Sequence, residues 1–205
     1  MRTFTKETQN ELTPELAINL LKQGNARFVN NIKAHRNLLE QVNETSAGQF
    51  PFAAILSCID SRTSAELIFD QGLGDIMSIR IAGNILNDDI LGSMEFSCKL
   101  AGSKLILVLG HTNCGAITGA CNNVVLGNLT GLLNKIKPAI ELETKTNRPQ
   151  SKEDFLKNIT INNVVITVNK VREQSSILKE MEQTGKIKII GGLYDIDTGQ
   201  VTFFE

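Results

Sequence analysis

Short apolar runs alternate with helical patterns along most of this chain. Three runs rich in aliphatic residues have the length of buried parallel strands: residues 52–57, 75–81 and 104–109. The residues that follow these runs have helical spacing, at 64–70, at 88–102 and from 113–114 onwards. This alternation predicts an α/β fold in which a mostly parallel β-sheet is flanked by helices.

The N-terminal part of the chain has the pattern of a helical arm. Thr13, Pro14 and Glu15 combine a hydroxyl cap, a proline at the first helical position and an acid near the positive end of a helix. Apolar residues at helical spacing predict an amphipathic helix over 14–30 and a second, short helix over 36–47. Residues 1–48 are therefore expected to form an N-terminal helical arm, which packs outside the main layer or on a partner subunit.

The C-terminal part of the chain is predicted to end in a hairpin. Residues 125–146 and 151–184 have helical patterns, with Pro138 placed near an end or a kink. The segment KIKIIGGLYDI at 186–196 then predicts a strand, and Asp-Thr-Gly predicts a tight turn. The last residues, QVTFF, are expected to form a C-terminal edge strand.

Composition limits the classes of protein to which the chain can belong. With 205 residues, of which 41% are hydrophobic, it can bury one core, and residues 1–205 are expected to form a single domain. The 21 basic and 22 acidic residues are well mixed, which argues against a nucleic-acid or anionic-membrane partner. No apolar run approaches the roughly 18 residues of a membrane span. The first residues lack the hydrophobic segment of a secretory signal, so we expect a cytoplasmic protein.

The candidate chemistry lies directly after two of the predicted strands. The motif SCIDSR contains Cys58, Asp60 and Arg62, and the motif GHTNCGA contains His111 and Cys114. Ligands of open α/β sheets bind beyond the carboxyl ends of such strands, so these side chains converge if the strands are neighbours. Two thiols, an imidazole and a carboxylate can form a tetrahedral zinc site. Four cysteines in all are too few for a disulfide framework, which favours free or metal-bound thiols.

The ordered pair of motifs C-x-D-x-R and H-x-x-C resembles that of the β-class carbonic anhydrases. The likeness continues through DQGLGDI, R-x-A-G-N, GSMEF and the closing GGLYDIDTGQVTF, and covers most of residues 14–204. It implies a zinc lyase that hydrates CO2 reversibly to bicarbonate and a proton, by attack of a zinc-bound hydroxide. It also implies a homodimer or a dimer of dimers, with the active site near the subunit interface.

The resemblance assigns a role to each residue of the two motifs. Cys58, His111 and Cys114 would be zinc ligands. Asp60 would be the fourth ligand in one state of the family, and in the other state it would pair with Arg62 while water takes the metal. Arg62 would thus hold Asp60 off the metal through a charge-assisted pair.

The resemblance also implies a small substrate pocket. Gln49, nine residues before Cys58, falls at the position of a substrate-binding amide, and Phe96 falls at the position of a pocket aromatic. Met77 stands at a pocket position that is usually Phe. Together with Ala82, these residues would suit CO2, which is small and apolar.

The sequence departs from the family pattern at Ile59, where Ser is common, and at Ile81, which replaces a frequent Asn, and two alternative functions stay open. The chain has no Trp, and Ile55 stands where family members with an allosteric bicarbonate site have Trp, so that form of regulation is not expected. A carbon disulfide or carbonyl sulfide hydrolase on the same scaffold is one alternative function. The other is a non-catalytic zinc protein, which the presence of both Asp60 and Arg62 disfavours. Cys98 and Cys121 are expected to be small core residues.

Overall fold

One mostly parallel sheet of five strands organises the chain. The structure is a computed structural model that describes residues 3–146 and 151–204. Its strands are β1 (Ala53–Ser57), β2 (Ile76–Arg80), β3 (Leu105–His111), β4 (Lys188–Tyr194) and β5 (Val201–Phe204). They lie in the order β2-β1-β3-β4-β5, and only β5 runs antiparallel to its neighbour. The predicted α/β architecture and its edge strand are confirmed.

Helices flank this sheet on both faces. In the described ranges they are α1 (Lys6–Asn10), α2 (Pro14–Val29), α3 (Leu38–Thr45), α4 (Ala65–Ile68), α5 (Asp88–Glu95), α6 (Gly115–Cys121), α7 (Gly127–Asn134), α8 (Lys137–Lys145), α9 (Lys152–Gln174) and α10 (Ser176–Gln183). A 3-10 turn spans Ala82–Asn84, and a π-helical turn spans Phe96–Leu100. None of these helices has both the length and the apolarity that crossing a bilayer requires.

The inner strands are buried on both faces, which explains their uninterrupted aliphatic runs. Every residue of β1 and β3 is buried. Ala53 and Ile55 of β1 face a core cluster that α2 and α4 complete, whereas Ala54 and Leu56 face a cluster that α5, α9 and α10 complete. A third cluster lies beyond the strand ends and includes Cys58. Apolar side chains of this cluster pack against the loops that follow β1 and β3.

Helix α2, in the expected N-terminal arm, packs on the sheet of its own chain, and contact of the arm with a partner subunit stays a prediction. Its start follows the prediction, because the Thr13 hydroxyl accepts a hydrogen bond from the Leu16 N–H. Ala17, Ile18 and Leu21 are then buried against the sheet of the same chain. Burial of this face on the sheet stabilises the helix far more than its propensity does.

Several predicted helices are interrupted by local chemistry that the hydrophobic pattern does not reveal. The helix predicted over 125–146 divides in two, with Pro138 in the first turn of α8, where its missing N–H costs nothing. The helix predicted over 151–184 ends at Ser175, whose hydroxyl caps α10 by accepting from the Leu178 N–H. Helix α1 was not predicted from the sequence.

Gly24 allows α2 to approach the end of α4 closely. A Cβ atom built on Gly24 would lie 1.7 Å from the backbone oxygen of Phe69, so the two backbones would have to separate. We therefore expect Gly24→Ala to lower the free energy of unfolding by about 3 kcal/mol, although alanine is the better helix former. Urea denaturation measures this loss.

Gly131 of α7 provides the matched control. A Cβ atom there meets no heavy atom within 4 Å. Gly131→Ala should raise the free energy of unfolding by about 1 kcal/mol. Equal effects of the two substitutions would contradict the close approach at Gly24.

Candidate metal centre

The two inner strands bring the two sequence motifs together. β1 and β3 are parallel neighbours in register, so their carboxyl ends lie side by side. Cys58 directly follows β1, His111 is the last residue of β3, and Cys114 is the N-cap of α6. The convergence expected at the carboxyl edge of the sheet is therefore present.

The spacing of the three side chains fits a tetrahedral metal ion. The Sγ atoms of Cys58 and Cys114 lie 4.0 Å apart, and the ligand atoms of these two residues and His111 all lie within 4.8 Å of one another. Two sulfurs bound tetrahedrally to zinc would be about 3.8 Å apart. All three residues are buried. The cluster thus has the chemistry and the dimensions of a zinc site.

The ring of His111 is oriented for metal binding. Its Nδ1 lies 2.9 Å from the carbonyl oxygen of Thr112, which can only accept, so Nδ1 carries the proton. Its Nε2 atom is buried and has no hydrogen-bond partner. A buried nitrogen lone pair without a partner is costly unless it binds something. A metal ion between the two thiols would satisfy it.

Hydrogen bonds at the cluster favour a thiolate at Cys58 rather than at Cys114. The Cys114 thiol and the Gly83 N–H, which lies 3.4 Å from Sγ, hold the pKa of Cys58 well below its usual range. The thiolate at Cys58 in turn raises the pKa of Cys114. The N–H groups of Ala116 and Ile117, at the start of α6, partly offset this rise.

Asp60 and Arg62 form a bidentate ion pair beside the cluster. Arg62 donates from Nε to Oδ1 at 2.9 Å and from Nη2 to Oδ2 at 2.8 Å, and its own N–H donates to Oδ1 at 3.0 Å. The guanidinium holds the pKa of Asp60 well below its usual range. Among the described residues, the group of converging ligand atoms consists of Cys58, His111 and Cys114 and does not include Asp60. Of the two states that the resemblance implies, the structure has the one in which Asp60 pairs with Arg62.

Two residues to which the sequence analysis gave no role fix the backbone of the first motif. Arg80 of β2 donates from Nε to the Cys58 carbonyl at 2.9 Å and from Nη2 to the Asp60 carbonyl at 2.6 Å. The single O–H of Thr63 is shared between the same two carbonyl oxygens, which lie 3.1 Å and 2.8 Å from its Oγ1 atom. Arg80 is the last residue of β2 and lies directly opposite Ser57. Knowledge of the strand register would therefore have located Arg80 beside the first motif.

A mainly apolar cavity of about 390 Å³ opens at the cluster. Cys58 and Asp60 form its polar end. Its other walls are small or aliphatic side chains and include Ala82, as expected, together with Ile59, Ala116, Val124, Leu129 and Leu133. The cavity therefore offers a small apolar molecule access to the side of Cys58.

The other three expected pocket residues lie elsewhere in the same chain. Gln49, Met77 and Phe96 line a separate, more open depression beside β2, and the two cavities share no lining residue. Phe96 is 53% exposed. One chain thus brings together the predicted ligands but not the whole predicted pocket, and the roles of these three residues stay predictions.

The remaining cysteines match their expected role as core residues. Cys98 is buried in the cluster between the sheet and α9, and burial raises its pKa to about 12. Cys121 is half-buried and packs against the cluster beside the cavity. Neither belongs to the candidate metal cluster.

Comparison with known proteins places the chain in one family. The sequence model of that family, described as carbonic anhydrase, matches residues 53–201. Carbonic anhydrase 2 of Mycobacterium tuberculosis is 34% identical over 193 residues, which cover 91% of both chains. The carbonic anhydrase of Mycolicibacterium smegmatis is 32% identical over 92% of both chains.

Solved structures show the same fold. The β-carbonic anhydrase CafA of Aspergillus fumigatus superposes with a TM-score of 0.75 at 23% identity, over 93% of this chain and 90% of that one. A tetrameric β-carbonic anhydrase of Sordaria macrospora also gives a TM-score of 0.75, at 20% identity, over 93% and 94% of the two chains. With its sequence relatives, its fold and its Cys–His–Cys cluster in agreement, the chain belongs to the β-class carbonic anhydrases.

Proposed function

We propose that this lyase catalyses the reversible hydration of CO2 with a zinc ion held by Cys58, His111 and Cys114. The observation that carries this assignment is the buried cluster of three ligand atoms within 4.8 Å at the end of an apolar cavity. When bound there, zinc would supply a Lewis acid that lets water ionise near neutral pH.

The residues around the cluster have distinct tasks in the proposed reaction. The Asp60 carboxylate lines the cavity and can accept a hydrogen bond from the attacking water, which orients an oxygen lone pair toward CO2. Arg62 keeps that carboxylate ionised and fixed by two parallel hydrogen bonds. The aliphatic walls accept CO2 without a desolvation cost for polar groups. In this proposal Asp60 orients the attacking water, and Arg62 fixes the position and the charge of Asp60.

A second subunit would complete the substrate pocket. Gln49, Met77 and Phe96 share one surface depression, which is separate from the cavity at the metal cluster. Helix α3 exposes Leu38 and Leu39, at 57% and 77%, on the same N-terminal part of the chain that was expected to contact a partner. We propose a homodimer, or a dimer of dimers, in which this depression faces the partner's cavity. Sedimentation of the zinc-loaded protein would measure the assembly.

The two alternative functions have less support than CO2 hydration. The relatives that match over most of the chain are named carbonic anhydrases, which does not favour a carbon disulfide or carbonyl sulfide hydrolase. A silent zinc protein would need a fourth protein ligand, whereas Asp60 is paired with Arg62.

Stopped-flow CO2 hydration on metal-analysed protein tests the assignment. We expect hydration that rises with pH through neutrality, because the attacking water must ionise. Removing the metal with a chelator should abolish the activity, and adding zinc should restore it. A protein with one zinc per chain and no CO2 hydration at any pH would overturn the proposal, and carbon disulfide would then be the next substrate to test.

A further inference from the structure

A buried asparagine on α9 is linked to the ligand Cys58 through one glycine. The Nδ2 of Asn163 donates to the carbonyl oxygen of Gly83 at 2.8 Å, and the N–H of Gly83 donates to Cys58 Sγ at 3.4 Å. Asn163 is 3% exposed. It lies 80 residues from Gly83 in sequence and outside both motifs. The link therefore joins a flanking helix to a sulfur of the metal cluster.

Gly83 holds a conformation that places its amide on the sulfur. Its φ of +68° lies in the left-handed region, which a residue with a Cβ adopts only at a cost. A Cβ atom there would lie 2.9 Å from Ile136 Cδ1 and 3.2 Å from the Cβ of Ala116. Apolar side chains thus pack against the Cα atom of Gly83, and the hydrogen bond from the Asn163 amide fixes the Gly83 carbonyl. Without that amide, a buried carbonyl would lose its partner and the turn could rotate.

We infer that Asn163 is a positioning residue for the metal centre, which fixes the Gly83 turn so that its N–H donates to the Cys58 thiolate. This inference rests on the proposed zinc site. A hydrogen bond to a thiolate withdraws electron density from the sulfur, so the bound metal remains a stronger Lewis acid. Loss of such partners of a ligand typically weakens metal affinity or activity by about 10–100-fold.

Cobalt substitution gives a readout that a purely structural role would not change. Co(II) bound to thiolates has a sulfur-to-metal charge-transfer band, whose energy falls when the sulfur becomes richer in electrons. We expect Asn163→Ala and Asn163→Leu to shift this band to longer wavelength. We also expect them to speed zinc loss to a chelator about tenfold or more, because the released Gly83 turn would no longer hold the Cys58 sulfur in its position for the metal. The leucine variant keeps most of the side-chain volume. It therefore distinguishes the effect of losing the hydrogen-bond donor from the effect of creating a cavity.

Val171, eight residues further along α9, is the control. Its side chain is fully buried in the cluster between α9 and the sheet, away from the metal cluster. Val171→Ala should destabilise the fold by about 2 kcal/mol without shifting the cobalt band. If both Asn163 variants fold and keep the wild-type band and zinc retention, the inference is wrong. If the wild-type protein itself shows no charge-transfer band with Co(II), the proposed metal site fails instead.

Discussion

Cys58→Ala should lose both its zinc and its CO2 hydration activity. The remaining His111 and Cys114 would offer two protein ligands, whereas catalytic zinc sites have three. Metal catalysis contributes several kcal/mol to stabilisation of the transition state, so activity should fall by about a thousandfold or more. Metal analysis of the purified variant and stopped-flow hydration measure the two losses. Full zinc content in the variant would remove Cys58 from the ligand set.

Cys98→Ala provides a matched control for this substitution. Cys98 and Cys58 are 3% and 4% exposed, so each substitution removes a similarly buried thiol. Cys98 lies in a different core cluster and outside the metal cluster. The control variant should keep its zinc and its activity. Loss of zinc from both variants would indicate general damage to the core.

Arg62→Ala should abolish most turnover while zinc stays bound. Arg62 makes three hydrogen bonds to Asp60 and none to the three ligands, so the ligand set survives its loss. Without the guanidinium, the Asp60 carboxylate can turn toward the metal and occupy the position that water needs. A displacement of about 1 Å in a catalytic group can cost about a hundredfold in rate, and we expect at least that loss. Zinc analysis together with stopped-flow hydration separates loss of turnover from loss of metal.

Two further variants sharpen this prediction. Arg62→Lys keeps the positive charge but cannot form the bidentate pair, so it should recover only part of the activity. Arg172→Ala breaks another bidentate pair, with Glu182, on α9 and α10. It should leave hydration unchanged. Wild-type activity in Arg62→Ala would exclude the ion pair from the mechanism.

The candidate metal ligands are predictable because strand ends leave a clear signal in this sequence. Strands buried on both faces appear as continuous aliphatic runs, and β1 and β3 are such strands. Their carboxyl ends then determine where Cys58, His111 and Cys114 lie. The resemblance adds the ion pair of Asp60 and Arg62, which short-range spacing alone cannot distinguish from a surface pair.

Other features depend on contacts that no local pattern contains. The separation of Gln49 and Phe96 from the metal cavity depends on the tertiary path of β2 and α5. The partner of Asn163 lies 80 residues away in sequence. The break at Ser175 depends on a side-chain cap that competes with an otherwise continuous helical pattern. Periodicity gives the elements, but tertiary contacts decide their ends and their partners.

The position of the candidate ligands at the carboxyl ends of two inner strands bears on how the enzyme is assembled. Small zinc domains fold only when they capture their ion, because they have almost no other core. Here the backbone register of β1 and β3 sets the spacing of the candidate ligands, and large apolar clusters on both faces of the sheet stabilise that register. We therefore expect the reverse order for this chain, which would fold first and be loaded with metal afterwards. Which ion then occupies the metal site would depend on the supply of metal in the cell as much as on the ligands that the protein offers.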